Sequence, residues 1–156
     1  MMFRKRILNC ILVFILGIML VACSDTQNSS TLTPIVQGTA TSDIAKMVGE
    51  EPTEITEDNG TTCYVYENSK YSDYIGTATY YCADNQVMMC RWEYDVDEAE
   101  KRGDVYNDIL DALEKDYGTF TKGENDITYT LQTEKEMISL TSFSVEGGYN
   151  IVITYN

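Results

Sequence analysis

The first feature of the hydrophobic pattern is a fifteen-residue, mostly apolar run, Ile7 to Val21, which follows three basic residues and ends abruptly in polar sequence. A helix of this length spans about 22 Å at 1.5 Å per residue, less than the ~30 Å hydrocarbon core of a bilayer. A basic start followed by a short apolar stretch is typical of signal peptides. The pattern therefore predicts that residues 1–22 are a signal peptide.

Residues 62–95 show the pattern of β-strands. "TCYVYE" predicts a strand, "NSKYSDY" a loop, and "GTATYYCADNQVMMCRWEYD" a hairpin that turns at Asp84-Asn85-Gln86. A three-residue turn gives one face without charge and a second face that includes charged side chains, so we expect the first to face the core. The first set is Ala78, Tyr80, Cys82, Met88, Cys90, Trp92 and Tyr94, and the second is Thr79, Tyr81, Val87, Met89, Arg91 and Glu93.

Two stretches have helical spacing. "SDIAKMVGEEP" predicts a short helix that ends at Gly49 and places Ile44, Met47 and Val48 on one face. A longer helix is predicted from Asp104, its candidate N-cap (Asp97 is the alternative), to the residue before Gly118. Its inward stripe is Tyr106, Ile109, Leu110, Leu113 and Tyr117, whereas Asp108, Asp111 and Lys115 face water.

The remaining segments complete an α+β prediction. "DITYTLQ", "EMISLTSFSV" and "YNIVITY" predict strands, the last two joined by a turn at residues 146–148. The order is α-β-β-β-α-β-β-β, with an antiparallel sheet and helices packed on one of its faces. The segment "SDTQNSSTLTPIVQGTAT" has neither the helical spacing nor the alternation of a strand. Residues 23–41 are therefore predicted to be a flexible Ser/Thr-rich tether, and residues 42–156 a single domain.

Charge narrows the range of partners. Removal of residues 1–22 takes away three basic residues and no acidic ones, which leaves 8 basic against 25 acidic residues and a net charge of −17. Such a charge repels nucleic acid and anionic headgroups, so we expect no nucleic-acid partner. It favours cationic partners, or it serves only to keep the domain soluble.

The chemical groups present exclude several kinds of active site. The chain has no histidine, which excludes Ser-His-Asp and Cys-His catalysis and the common zinc-ligand sets. "DVDEAEKRGDVY" lacks the glycine and the final glutamate of an EF-hand; its acidic residues are either a solvated helix start or a weak calcium-binding surface. These acidic residues are Asp95, Asp97, Glu98 and Glu100. We predict no cofactor, no dedicated metal site and no catalytic residue, although paired carboxylates leave a small cell-wall-acting hydrolase as the alternative.

Three cysteines lie in the predicted domain: Cys63, Cys82 and Cys90. The predicted hairpin register places Cys82 opposite Met88 and Cys90 opposite Tyr80, a poor geometry for a disulfide between the two hairpin cysteines. The alternatives are three buried thiols or a bridge between Cys63 and Cys82.

The stretch Leu20-Val21-Ala22-Cys23 resembles the lipobox of bacterial lipoproteins. That resemblance implies cleavage after Ala22, a diacylglyceryl thioether on Cys23, and anchoring at the extracytoplasmic face of a bacterial cell membrane, of Gram-positive type. An ordinary signal sequence with an incidental cysteine and an uncleaved membrane helix are the alternatives.

The domain also resembles a family. The helix ending in "MVGEEP", the "YYCADNQV" hairpin, and "LEKDYGTF" before "MISL" and "IVITY" are similar to small Firmicute surface lipoproteins with an SmpA/OmlA-like or β-lactamase-inhibitor-protein-like domain. The resemblance implies non-enzymatic protein binding in envelope assembly, inhibition or scaffolding.

These expectations combine into one functional prediction. The chain is predicted to be a lipid-anchored extracytoplasmic module that binds a protein or envelope component and catalyses no reaction. Its candidate partner surface is Tyr81, Val87, Met89 and Arg91, because an aromatic residue, a methionine and an arginine are enriched at interfaces. The alternative is a solvated sheet face whose side chains only support cross-strand pairing.

Overall fold

A computed structural model describes residues 29–125 and 127–156. These residues form nine strands in one sheet and two α-helices, each preceded by a 3₁₀ turn (Thr41–Asp43 and Ala99–Lys101). The α-helices are α1 (Ile44–Val48) and α2 (Arg102–Tyr117). The strands are β1 (Ser30–Thr31), β2 (Glu54–Asp58), β3 (Thr61–Tyr71), β4 (Tyr74–Ala83), β5 (Gln86–Val96), β6 (Thr121–Lys122), β7 (Thr128–Gln132), β8 (Met137–Val145) and β9 (Gly148–Tyr155).

The sheet has the strand order β1-β3-β4-β5-β9-β8-β7-β6, and β2 also pairs with β3. Every pairing is antiparallel except that of β1 with β3, so the sheet is mixed. The α+β class is confirmed, but the predicted element order is wrong because it lacks β1, β2 and β6. All five residues of β2 are exposed, so this strand has no alternation of apolar and polar positions that would predict it. The strands β1 and β6 are only two residues long.

The predicted loop "NSKYSDY" is also wrong. Strand β3 continues to Tyr71, β4 begins at Tyr74, and these two residues pair across a two-residue turn. The register shifts between Tyr66 and Ser69, where Asn68 has a φ of +60°. A bulge of this kind keeps a polar stretch within a strand while it interrupts the period of two.

Helix α2 covers one face of the sheet. The single proton of its Tyr106 hydroxyl is shared between the carbonyl oxygens of Ile127 and Leu140, at 3.0 and 3.2 Å. The predicted stripe is confirmed: four of its members are buried, Tyr117 is half-buried, and Val105 is buried beside them. The helix begins at Arg102 rather than Asp104 and has no side-chain N-cap hydrogen bond.

Helix α1 contributes a second, smaller part of the core. Ile44 is buried and Val48 is half-buried, but Met47 is 45% exposed, so its predicted place on the inward face is wrong. In a helix of five residues, only Ile44 and Val48, four positions apart, pack inward. The helix ends as expected at Gly49, which has a φ of +91°.

The predicted tether boundary needs correction, because residues 29–41 pack against the sheet. Leu32 and Ile35 are 6% and 1% exposed. The amide of Leu32 donates to the carbonyl of Lys70 at 2.7 Å, and the Tyr80 hydroxyl donates to the carbonyl of Thr33 at 2.7 Å. The folded unit therefore includes residues before 42, and only residues 23–28 of the predicted tether lie outside the described part. The prediction failed because it relied on the polar composition of the segment, although two apolar residues within it pack against the sheet.

Candidate binding surface on the outer sheet face

Three of the four candidate partner residues lie on the sheet face opposite helix α2. Strand alternation and cross-strand pairing bring Tyr81 opposite Met89 and Arg91 opposite Thr154. Tyr81, Met89 and Arg91 are all half-buried. The structure therefore brings together three of the four residues that the sequence predicted.

Val87 does not belong to this surface. Asp84 and Asn85 have φ values of +51° and +61°, and Ala83 pairs with Gln86, so the turn has two residues rather than three. The register then shifts, and Val87 pairs with Cys82 instead of leaving Met88 opposite it. Val87 is consequently 0% exposed within the core, whereas Met88, predicted to be core, is 44% exposed.

Strands β8 and β9 supply neighbours that the sequence prediction missed. Phe143 is 48% exposed, and it lines an open depression together with residues of three strands. The depression is lined by Met89, Arg91, Thr141, Phe143, Val152 and Thr154. With Tyr81, these residues are called the outer face below. Alternation in "MISLTSFSV" and "NIVITY" shows which residues share a side, but not which strand lies beside β5.

Two polar atoms near the depression have no hydrogen-bond partner among the described residues. Arg91 forms an ion pair with Glu93 through its terminal nitrogen, but its buried Nε is unpartnered. Asn150 donates through Nδ2 to Asp95 Oδ1 at 2.8 Å, and its buried Oδ1 is unpartnered. An unpaired buried polar group costs about 1–3 kcal/mol, which a ligand that pairs it would recover.

Carboxylates border one end of the outer face. Glu67, Glu93 and Asp95 line a depression with Gly76 and Thr77, next to the Arg91 ion pair. Gly76 is required there, because a Cβ atom would lie only 2.1 Å from the carbonyl oxygen of Glu93. Two of these carboxylates already have partners within the fold: Arg91 for Glu93 and Asn150 for Asp95.

The acidic stretch near residue 97 is not arranged as a metal site. Glu98 pairs with Lys101 at 2.7 Å, and Asp95 accepts the hydrogen bond from Asn150. Within residues 29–125 and 127–156 there is no group of three or more histidine, cysteine, aspartate or glutamate residues placed to hold a metal ion.

The three cysteines of the described chain are free thiols. Cys63 pairs with Tyr81 and Cys82 with Thr62, so these two cysteines point to opposite sides of the sheet. Burial raises the pKa of the Cys82 thiol to about 11 and that of Cys90 to about 12. Both thiols are therefore protonated at neutral pH and act as small apolar side chains.

Comparisons with protein-family models, with curated proteins and with solved structures found no match. The resemblance to envelope lipoproteins therefore stays a prediction. The predicted lipidation residue, Cys23, and the predicted signal peptide lie outside the described residues. Within those residues, no helix combines the length and the apolar character needed to cross a bilayer.

Proposed function

We propose that this chain is a lipid-anchored, extracytoplasmic binding module that uses the outer face to bind a protein and catalyses no reaction. The observation that carries the proposal is the uncovered depression on that face, where an exposed phenylalanine, a methionine and an arginine meet. Aromatic residues, methionine and arginine are enriched at protein interfaces, and the central ones contribute most of the binding energy.

The apolar character of the outer face extends along β8. Met137 and Val145, on the same side of this strand as Phe143, are 40% and 46% exposed. Together with the half-buried Met89 they border a surface that a partner can dehydrate. Apolar burial contributes about 25 cal/mol per Å², and pairing of Arg91 Nε would add a charge-assisted hydrogen bond.

Charge indicates what kind of protein this surface accepts. With a net charge of −17 after residue 22, two copies of the chain repel each other. The carboxylates of Glu67, Glu93 and Asp95 lie at one end of the outer face. The partner that fits is a protein with an apolar centre and a cationic rim, which also matches long-range attraction to an acidic domain.

The anchor completes the proposal. Attachment of a diacylglyceryl group to Cys23 would hold the module at the membrane, since two acyl chains anchor stably and one does not. The acidic domain would be repelled by anionic headgroups, which leaves its outer face available to a protein partner.

The test is site-specific photocrosslinking on intact cells. A photoreactive phenylalanine analogue replaces Phe143 on the outer face or, as the control, Asp111 on the exposed side of α2. We expect an adduct with another protein from position 143 and none from position 111. The adduct should disappear when Met89→Ala and Arg91→Gln are added, while the melting temperature stays within a few degrees of wild type.

Three results would contradict the proposal. Equal adducts from positions 143 and 111 would mean that other proteins contact the outer face no more than the exposed side of α2. An adduct of twice the chain's own mass would identify a second copy as the occupant. An adduct that survives Met89→Ala and Arg91→Gln would place the partner surface elsewhere.

A further inference from the structure

A second depression lies on the other side of the sheet, between helix α1 and the β2–β3 hairpin. Its walls are mainly apolar and aromatic, and an acidic residue stands at the rim. Ile55 and Tyr64 face each other across the two strands, and Ile55 is 57% exposed. The depression is lined by Thr41, Ser42, Ile44, Ala45, Glu51, Pro52, Ile55, Tyr64 and Tyr66. It is called the Tyr66 pocket below.

The Tyr66 pocket contains an unpaired polar atom. Tyr66 is 1% exposed, and its buried hydroxyl has no hydrogen-bond partner among the described residues. Most buried hydroxyls in native proteins are paired, so this atom calls for an explanation. Of the residues that line the pocket, Tyr66 is the one with such an atom in the described chain.

The charge around this hydroxyl is negative. Burial, followed by the nearby carboxylates of Glu51 and Glu50, raises the pKa of Tyr66 to about 12. The hydroxyl is therefore neutral at pH 7 and offers an acceptor as well as a donor. None of the residues that line the pocket is a lysine or an arginine, so Glu51 has no cation within the lining.

We propose that the Tyr66 pocket binds a cationic group carried on an aliphatic stem, namely an arginine or lysine side chain. The guanidinium or ammonium group would pair with Glu51 and donate a hydrogen bond to the Tyr66 hydroxyl. The stem would lie along Pro52 and Ile55, and the ring of Tyr64 offers a face for a cation–π contact. Because none of these residues belongs to the outer face, this site does not depend on the proposed function above.

The test uses the full chain in non-ionic detergent, titrated with Nα-acetyl-arginine methylamide and followed by two-dimensional amide NMR. Nα-acetyl-citrulline methylamide has the same shape without the charge and serves as the ligand control. We expect the arginine probe to shift amides of residues 41–55 and 64–66, and the citrulline probe to bind at least about tenfold more weakly, as loss of one charge-assisted hydrogen bond predicts.

Two variants and one matched control locate the site. Glu51→Gln should weaken arginine binding about tenfold, and Tyr66→Phe, which removes only the unpaired hydroxyl, should weaken it several-fold. Glu54→Gln removes an exposed carboxylate of strand β2 that does not line the pocket, and should leave affinity within about twofold. If Tyr66→Phe fails to fold, Glu51→Gln at its exposed position still decides the question.

Equal binding of the arginine and citrulline probes would overturn the proposal. So would a loss of affinity in Glu54→Gln equal to that in Glu51→Gln, because the attraction would then come from the net charge of the domain. Shifts confined to residues outside 41–66 would show that the cation binds elsewhere.

Discussion

Two neighbouring tyrosines provide a matched test of what a buried hydroxyl contributes to this fold. Tyr66 on β3 and Tyr80 on β4 are each 1% exposed, and their rings meet edge to face with centroids 5.5 Å apart. The Tyr80 hydroxyl donates to the carbonyl of Thr33, whereas the Tyr66 hydroxyl has no hydrogen-bond partner among residues 29–125 and 127–156. Replacement by phenylalanine keeps both rings, so each variant changes one hydroxyl only.

Tyr80→Phe should lower the free energy of unfolding, whereas Tyr66→Phe should leave it unchanged or raise it. Tyr80→Phe removes a 2.7 Å hydrogen bond and leaves the Thr33 carbonyl unpaired, which should destabilise the domain by about 1–1.5 kcal/mol. Tyr66→Phe removes an unpaired buried hydroxyl and should leave stability unchanged or raise it by up to about 1 kcal/mol. The two variants should therefore differ by about 1–2.5 kcal/mol.

Urea unfolding of the full chain in non-ionic detergent, followed by fluorescence of Trp92, measures this difference. With a slope of about 1–3 kcal/mol per molar urea, 1 kcal/mol moves the midpoint by about 0.3–1 M. Tyr80→Phe should also loosen residues 29–35, visible as faster amide exchange at Leu32. Equal destabilisation by the two variants would refute the reasoning, because the Tyr66 hydroxyl would then have a partner within the fold.

Three further predictions follow from the core, the tyrosines and the anchor. Leu113→Ala, at a 0% exposed position, should cost about 2–5 kcal/mol in thermal melts and Asp111→Ala less than about 0.5 kcal/mol; equal losses would mean that the orientation of α2 is wrong. Because burial raises the pKa of Tyr66 from 10 to about 12, the folded state holds this proton more tightly than the unfolded state does. On this account stability should be constant below pH 10 and fall between pH 10 and 12, with a contribution from Tyr66 of up to about 1.4 kcal/mol per pH unit. Urea midpoints across that range check this fall, and Tyr66→Phe should make it less steep. Mass spectrometry should find an acylated N-terminal Cys23, and Cys23→Ala should lose membrane retention; a variant still processed and membrane-bound would contradict the lipid anchor.

The hairpin of β4 and β5 shows how far sequence reasoning reaches. The pairing of Tyr80 with Cys90 is confirmed, but that of Cys82 with Met88 is wrong. Both pairings followed from one assumed turn, and the error comes from Asp84 and Asn85, which adopt positive φ and shorten the turn while a bulge absorbs the extra residue. Local spacing therefore predicted the register beyond the bulge and failed within it.

The sequence predicted an element correctly when the pattern within that element was enough to identify it. Helix α2 has sixteen residues, and its period alone predicted the buried stripe. Strand β2 pairs with the next strand across a turn at Asn59 and Gly60, but its five exposed residues have no alternation that would predict a strand. Residues 29–41 are held by distant partners, such as Thr33 by Tyr80, which spacing along the chain does not show. The same limit applies to the outer face, because Phe143 joins Met89 only through the position of β9 between their strands.

The unpaired buried polar atoms connect the two proposed sites. Five such atoms occur in the described chain. Arg91 Nε lies at the outer face, the Tyr66 hydroxyl lies in the Tyr66 pocket, and Asn150 Oδ1 belongs to the residue that pairs with Phe143 beside the outer face. The other two, Ser30 Oγ and the Tyr155 hydroxyl, lie at neither site, and the Tyr155 side chain packs against Tyr117, with ring centroids 6.0 Å apart. Each unpaired atom weakens the free protein and strengthens any complex that pairs it, so stability and binding should change in opposite directions at these positions.

Because alternation places Tyr66 and Met89 on opposite sides of the sheet, the two sites share no residue, and variants at one should leave binding at the other unchanged. Coupling between them, measured as a non-additive effect of Tyr66→Phe with Met89→Ala, would instead require that one ligand wraps around the edge of the sheet and contacts both.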